Sequence, residues 1–321
     1  MSAERHDHHL HLFALAAAFG SAACGPPAVR DRAELGRALA QRASDRRGWV
    51  RGVGYHESVA GELDRDALDA LRGDVPVRVQ HRSGQLWMLN SAALEALGTS
   101  GGDGRLYRAD AWLRERLGAE PPPSLAEVGA RLARIGVTAV TDATHTNGPT
   151  ELAALAAARA KGELAQRLVV MGTLELSECN PPPGIEIGPL KLHLSEAVLP
   201  TLEEACAAIR AAHRRGRNAA IHCATHAELA FALAAYEAAG VAEGDRLEHV
   251  HVASPNCVER IAALGLTVCA SPTLVRERLA GWRREAEPAE AAWLAPHDAL
   301  ARAGVPLLEG SDAPFGPLAP P

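Results

Sequence analysis

From residue 125 onward the chain repeats one pattern, and that pattern limits it to very few folds. A segment with helical spacing of apolar residues is followed by a short β-branched or apolar run, again and again. Helical segments at 125–135, 151–161, 202–214, 227–239, 256–264 and 289–303 lead into strand-like runs at 136–142, 167–171, 218–222, 246–250, 266–270 and 305–310, with one more run at 189–194. Strands separated by helices pair in parallel, because a helix-length crossover is what returns the chain to the same edge. Residues 7–13 supply an eighth strand. Eight such units predict an α/β fold, a (β/α)8 TIM barrel with its active site at the C-terminal ends of the strands.

Residues 25–120 break the rhythm. They hold Trp49-Val50-Arg51-Gly52-Val53-Gly54-Tyr55, then Val75 to His81, Asn90-Ser91-Ala92-Ala93-Leu94 and a glycine-rich stretch from Gly98 to Gly104. Pro121-Pro122-Pro123 marks the return to the regular pattern. The predicted organisation is residues 1–24 as the first strand and start of the barrel, 25–120 as an inserted segment folded over its mouth, and 121–321 as the remainder through strand eight.

A formal net charge of -6 argues against a nucleic-acid partner. No apolar run reaches the ~18 residues of a membrane span. Six cysteines, none in a C-x-x-C pair, read as reduced thiols of a cytoplasmic protein. The run from His11 to Cys24 loosely resembles a secretion signal with a lipoprotein cysteine. Glu4 and Asp7 spoil its basic start, and cleavage before Cys24 would remove His9 and His11. The expected partner is a small molecule, with no nucleic acid or membrane, and a homo-oligomer is permitted.

Side chains that bind metals recur at the strand ends. In Asp7-His8-His9-Leu10-His11, His9 and His11 share one face of a strand, whereas His6 and His8 face the other way. An H-x-H pair alone is weak in a chain with 14 histidines. His222 ends the fifth strand, His249 ends the sixth, and Asp312 follows the eighth. Singly, His222 reads as a satisfied core histidine and Asp312 as a loop cap. In order, each at a strand end, they suit Zn2+ or a similar divalent ion. Lys191 interrupts the apolar Leu190-Lys191-Leu192, although only Lys161 and Lys191 are lysine among 33 basic residues. A buried amine is costly unless paired or modified; the plainer reading is an edge or surface lysine. Cys223 should face away from its neighbour His222.

This set resembles the amidohydrolase superfamily, marked by H-x-H after strand one, a carboxylated lysine after strand four, single histidines after strands five and six, and an aspartate after strand eight. The matching positions are His9 and His11, Lys191, His222, His249 and Asp312. The long insertion, its phrases quoted above, and Gly310-Ser311-Asp312-Ala313-Pro314 look like the amidohydrolase-3, YtcJ-like branch. The resemblance implies one or two divalent ions, Zn2+ by preference. His9, His11 and Asp312 would hold one, His222 and His249 the other, bridged by a CO2-derived carbamate on Lys191. It implies hydrolysis of an amide-type C–N bond, with Asp312 as general base and then acid, on an N-acyl or N-formyl amide. His193, Tyr55 and Gln85 are the expected substrate contacts, Gln85 standing where relatives often carry histidine. His81, His145 and Glu57 are further pocket candidates that the sequence does not rank, and His226 and His251 read as supporting or surface positions. The family's β-sandwich and last barrel helix are expected to be missing, since few residues precede Asp7 and nine follow Asp312. A mononuclear deaminase of the same superfamily, with no need of Lys191, and a non-catalytic truncated barrel are the alternative expectations.

Overall fold

Each short apolar run of the repeating region pairs in parallel with the next, because a helix carries the chain back between them. The computed structural model describes residues 5–99, 101–118 and 121–318. The strands are β1 (His6–Leu10), β2 (Ala139–Asp142), β3 (Arg167–Gly172), β4 (Ile185–His193), β5 (Ala219–Cys223), β6 (Arg246–His249), β7 (Thr267–Ala270) and β8 (Leu307–Glu309). They hydrogen-bond in that order in one eight-stranded sheet. The sheet nearly closes on itself. Just beyond β8, Leu10 and Ala313 form a parallel bridge, with His11 N donating to Ala313 O at 2.9 Å and Asp312 N to His9 O at 2.7 Å. This is the (β/α)8 barrel that the alternation predicts.

Alternation along the strands sorts the side chains. Ile221, Leu247 and Val268 point outward and pack with Ile209, Leu229, Leu233, Tyr236 and Ile261 of the surrounding helices. Burying each such side chain stabilises the fold by about 1.5–3 kcal/mol. The helices start where their sequences provide caps. Thr201 and Glu204 open Leu202–Arg214, and Thr225 and Glu228 open His226–Ala239, each pair as a capping box. The residues of the other parity point inward: Ala220 with Met171 and Ala143, then the buried Lys191, Arg246 and Glu248.

Several boundaries differ from the sequence reading. The first strand ends at Leu10 rather than residue 13, because the Asp142 carboxylate accepts the Leu12 amide and a helix starts there. The fourth strand begins at Ile185, four residues earlier than expected. The single helix expected at 289–303 is two short ones, Pro288–Ala291 and His297–Arg302. Ala295 in left-handed backbone (φ 57) breaks it, just before Pro296. The helix that follows β7, Pro272–Glu285, has no counterpart in the sequence reading.

The contacts of the chain divide it into two compact units, residues 1–12 with 124–321, and residues 13–123; the sequence reading sets the inserted segment at 25–120. In the second unit, strands Ala22–Ala23, Val50–Tyr55, Val77–His81, Leu86–Leu89 and Arg105–Tyr107 form a mixed sheet in that order. Asn90 holds it together from within. Its side chain accepts from Val77 N and Ala93 N and donates to the Arg72 and Val75 carbonyls. All six cysteines are free, five of them buried and Cys179 half-buried. Among the described residues no helix is long and apolar enough to cross a membrane.

Barrel closure depends on a missing side chain. A Cβ at Gly310 would lie 2.4 Å from His9 Cβ and 2.7 Å from His9 N. Gly310→Ala is therefore expected to force β1 and β8 apart and to lower stability by about 1–3 kcal/mol, read as a fall in the urea midpoint. An unchanged midpoint would show that the strands approach less closely than this.

Candidate metal centre

At the C-terminal ends of the barrel strands, one buried carboxylate gathers three imidazoles. Asp312 Oδ1 lies 3.5 Å from His9 Nε2 and 3.4 Å from His11 Nε2, and Asp312 Oδ2 lies 4.0 Å from His249 Nδ1. Tetrahedral bonds of about 2.1 Å place neighbouring ligand atoms about 3.4 Å apart, so these separations suit a shared divalent ion. His249 Nδ1 is buried with no hydrogen-bond partner among the described residues. His9, His249 and Asp312 form a group whose ligand atoms all lie within 4.8 Å of one another. The His222 ring packs on His249 at 4.7 Å, and its Nε2 lies 4.0 Å from the Glu228 carboxylate. Lys191 Nζ, also buried and without a hydrogen-bond partner, lies 3.8 Å from Glu248 Oε2. Unpartnered buried nitrogens beside imidazoles and a carboxylate are what a metal-binding site looks like before its ion is added.

Electrostatics keep the donors in the form that binds metal. Burial pushes His222 and His249 well below the usual imidazole range, and neighbouring imidazoles and Lys191 add to it. His9 is pushed down to about 4 by burial and by Lys191. All three are thus neutral with a lone pair to give. Burial would raise the Asp312 carboxyl, but His11, His9 and Lys191 outweigh it and hold it below the usual range, ionised. Burial lowers the Lys191 amine, against the pull of Glu248.

The backbone contributes as much as the residue types. By strand alternation His249 should face outward with Leu247. Its left-handed backbone (φ 72), shared by Val250 (φ 49), turns the ring back to within 4.6 Å of His9. Asp312 is left-handed too (φ 56). Such conformations cost of order 1–3 kcal/mol each and persist only where surrounding contacts impose them. Here they are imposed by hydrogen bonds: Val250 N donates to Cys223 O, and Asp312 N to His9 O. Asp7 adds a tie across the closure, its Oδ1 accepting from His9 N and Ser311 N.

Glu248 and Arg246 are the residues that sequence reasoning missed. Glu248 is fully buried, hydrogen-bonded with His9 Nδ1 and accepting from Arg246 Nε. A charged pair two apart in a barrel strand, Arg246-Leu247-Glu248, was the available signal, since both must face the interior. Glu248 also forms a second cluster with His9 and Cys269. That cluster makes a poor ion site, because Arg246 and His9 already occupy the carboxylate and burial pushes the Cys269 thiol up.

The expected substrate contacts separate. His193 lies exposed on the same face of β4 as Lys191, its ring 4.5 Å from His222 and 4.8 Å from His145. Tyr55 and Gln85 belong to the second unit. There the Tyr55 hydroxyl is buried and donates to Gly61 O at 2.6 Å, and Gln85 lies exposed just before strand Leu86–Leu89. His81 and Glu57 pair with each other in that unit at 3.2 Å. His251 is buried rather than at the surface, between His249 at 5.3 Å and Trp282 at 4.8 Å, and His226 packs on Trp293. His6 bonds Thr141 and stacks on His8, away from the centre. Cys223 lies in the outer core.

The fold has clear structural relatives. An uncharacterised metal-dependent hydrolase from Pyrococcus horikoshii OT3 superposes with a TM-score of 0.75 at 18% identity, over 98% of this chain and 71% of that one. One from Pyrococcus furiosus gives 0.72 at 18% identity, over 98% and 74%. A triazine hydrolase variant gives 0.50 at 13% identity, over 98% and 60%. No curated protein matches the chain in sequence. The profile of the amidohydrolase family matches residues 6–320, nearly the full length. The chain belongs to the amidohydrolase family.

Proposed function

We propose that the chain is a metal-dependent hydrolase that cleaves an amide-type C–N bond, with N-acyl or N-formyl amines as the substrate class. One observation carries the reading: His9, His11 and His249 present ring nitrogens within 3.4–4.0 Å of the buried Asp312 carboxylate. Family membership and solved metal-dependent hydrolases of the same fold support it. His9, His11 and Asp312 would hold one ion, and His222 and His249 a second, with Lys191 between them as a carbamate. When bound, a divalent ion such as Zn2+ supplies Lewis acidity, polarising the scissile carbonyl and lowering the pKa of the attacking water.

The remaining chemistry belongs to the chain. Burial favours the neutral Lys191 amine, the form that adds CO2; the nitrogen lone pair attacks the carbon, a proton leaves and an anionic carbamate remains. Asp312 is ionised and takes the proton of the attacking water. It then gives that proton to the departing nitrogen, so that the C–N bond breaks to a carboxylic acid and an amine. His193, exposed with its ring 4.5 Å from His222, would contact the substrate.

A second reading is a mononuclear deaminase-type hydrolase. It is favoured by the grouping of His9, His249 and Asp312 within 4.8 Å of one another, a set that excludes Lys191 and His222. Elemental analysis of zinc-loaded protein decides between them. The binuclear reading expects about two ions per chain, falling to one or none in Lys191→Ala. One ion in both proteins would favour the mononuclear reading, and none in either would remove the hydrolase reading altogether.

Asp312→Asn keeps shape but cannot accept the proton. Its kcat on a panel of N-acyl and N-formyl amines is expected to fall by roughly 10²–10⁴. Wild-type protein that turns over no member of the panel when metal-loaded would remove the proposed substrate class.

The buried imidazoles also set an acid limit. His9 and His251 titrate at about 4 in the folded chain, against 6.5 for free imidazole. As pH falls below 6.5 the unfolded chain gains protons that the folded one refuses, so stability drops across the window from 6.5 to about 4. Urea midpoints of metal-free protein measured across that window should decline steadily. A flat profile would mean that these rings are solvated rather than buried.

A further inference from the structure

Glu248 lies behind the proposed ligands, and its hydrogen bonds are directional. Its Oε1 accepts from Arg246 Nε at 2.6 Å, while Oε2 is hydrogen-bonded with His9 Nδ1 and accepts, more distantly, from Arg246 Nη2 at 3.3 Å. Arg246 Nη2 also donates to His8 O at 2.8 Å, which ties β6 to the backbone of β1. All of these groups are buried: Glu248 is 0% exposed, His9 1% and Arg246 6%. No solvent competes for the bonds, so the donors and acceptors must match.

A carboxylate paired with a guanidinium accepts and does not donate. The proton between Glu248 and a neutral His9 is therefore on Nδ1. That leaves a lone pair on Nε2, the atom 3.5 Å from Asp312 Oδ1. We propose that Arg246 and Glu248 act as a positioning pair that fixes His9 as its Nδ1–H tautomer, aiming the Nε2 lone pair at the metal centre before any ion arrives. Arg246 makes this possible by neutralising Glu248, which would otherwise add an unscreened negative charge beside Lys191 and Asp312. The metal half of the proposal rests on the function proposed above; the tautomer does not.

The arrangement makes Glu248→Gln an unusually informative change. Glutamine keeps the volume but offers one oxygen and one NH2. Arg246 can only donate, so the amide oxygen must turn to Arg246 Nε. The NH2 then faces His9 Nδ1, which can accept only if it carries no proton. His9 is driven to the Nε2–H tautomer, and the lone pair leaves the centre without any loss of packing.

The test uses the full-length protein with 15N-labelled histidine, stripped of metal by a chelator. The His9 signals are assigned by their loss in His9→Gln. Nitrogen NMR is expected to show Nδ1–H in the wild type and Nε2–H in Glu248→Gln. Zinc affinity, from competition with a chromogenic chelator, is expected to weaken by about 10–100-fold in the variant. Two results would overturn the proposal. One is an Nε2–H or doubly protonated His9 in the wild type, which needs no variant to fold. The other is a Glu248→Gln protein of lowered thermal stability but unchanged tautomer and zinc affinity, the signature of a purely structural residue. Wild-type protein with the Nδ1–H tautomer but no zinc binding would sink the metal-centre reading and the ligand half of the proposal, leaving only the tautomer.

Discussion

The hydrogen bond from Asp312 N to the carbonyl of His9, 2.7 Å long, joins the two ends of the barrel. Everything proposed for the site depends on it. It brings a carboxylate from the far end of the sequence onto the strand that carries His9 and His11, and it holds Asp312 in left-handed backbone. Asp7 supports the same seam by accepting from Ser311 and His9. Gly310 permits it, because no side chain separates the last strand from the first.

Inside that closed sheet, charge is arranged so that burial does not disrupt it. Lys191, Arg246, Glu248, Asp312 and three buried imidazoles share a region where isolated charges would be very costly. The cost is contained in two ways. Arg246 and Glu248 neutralise each other at short range, and Arg246 outweighs burial to keep the Glu248 carboxyl well below its usual range. The histidines avoid charge altogether, because burial holds them neutral. Among the described residues, Lys191 Nζ, His249 Nδ1 and His251 Nε2 have no hydrogen-bond partner there. A core selected only for stability would have paired them or replaced them.

Much of this was legible in the chain. Alternating helical and strand-like runs specify a parallel barrel, because each segment's period states which face it must bury. The residue types at the strand ends were legible too, from His9 and His11 through Lys191 and His222 to Asp312. Less could be read where local signals conflict. The helix Pro272–Glu285 carries a mixed, arginine-rich pattern with no clean apolar stripe, and the break at Ala295 is a backbone event that its own side chain does not announce.

The sequence by itself determined the order of the barrel strands and the chemical identity of the candidate ligands, since periodicity and residue type are local properties. Tertiary structure alone decided that His9 and His11 turn Nε2, and His249 Nδ1, toward Asp312, and that Glu248 rather than a solvent molecule is the partner of His9 Nδ1. It also decided that His249 turns inward against the parity of its strand. Those outcomes follow from contacts between strands far apart in sequence, and from left-handed backbone that only the assembled barrel can impose.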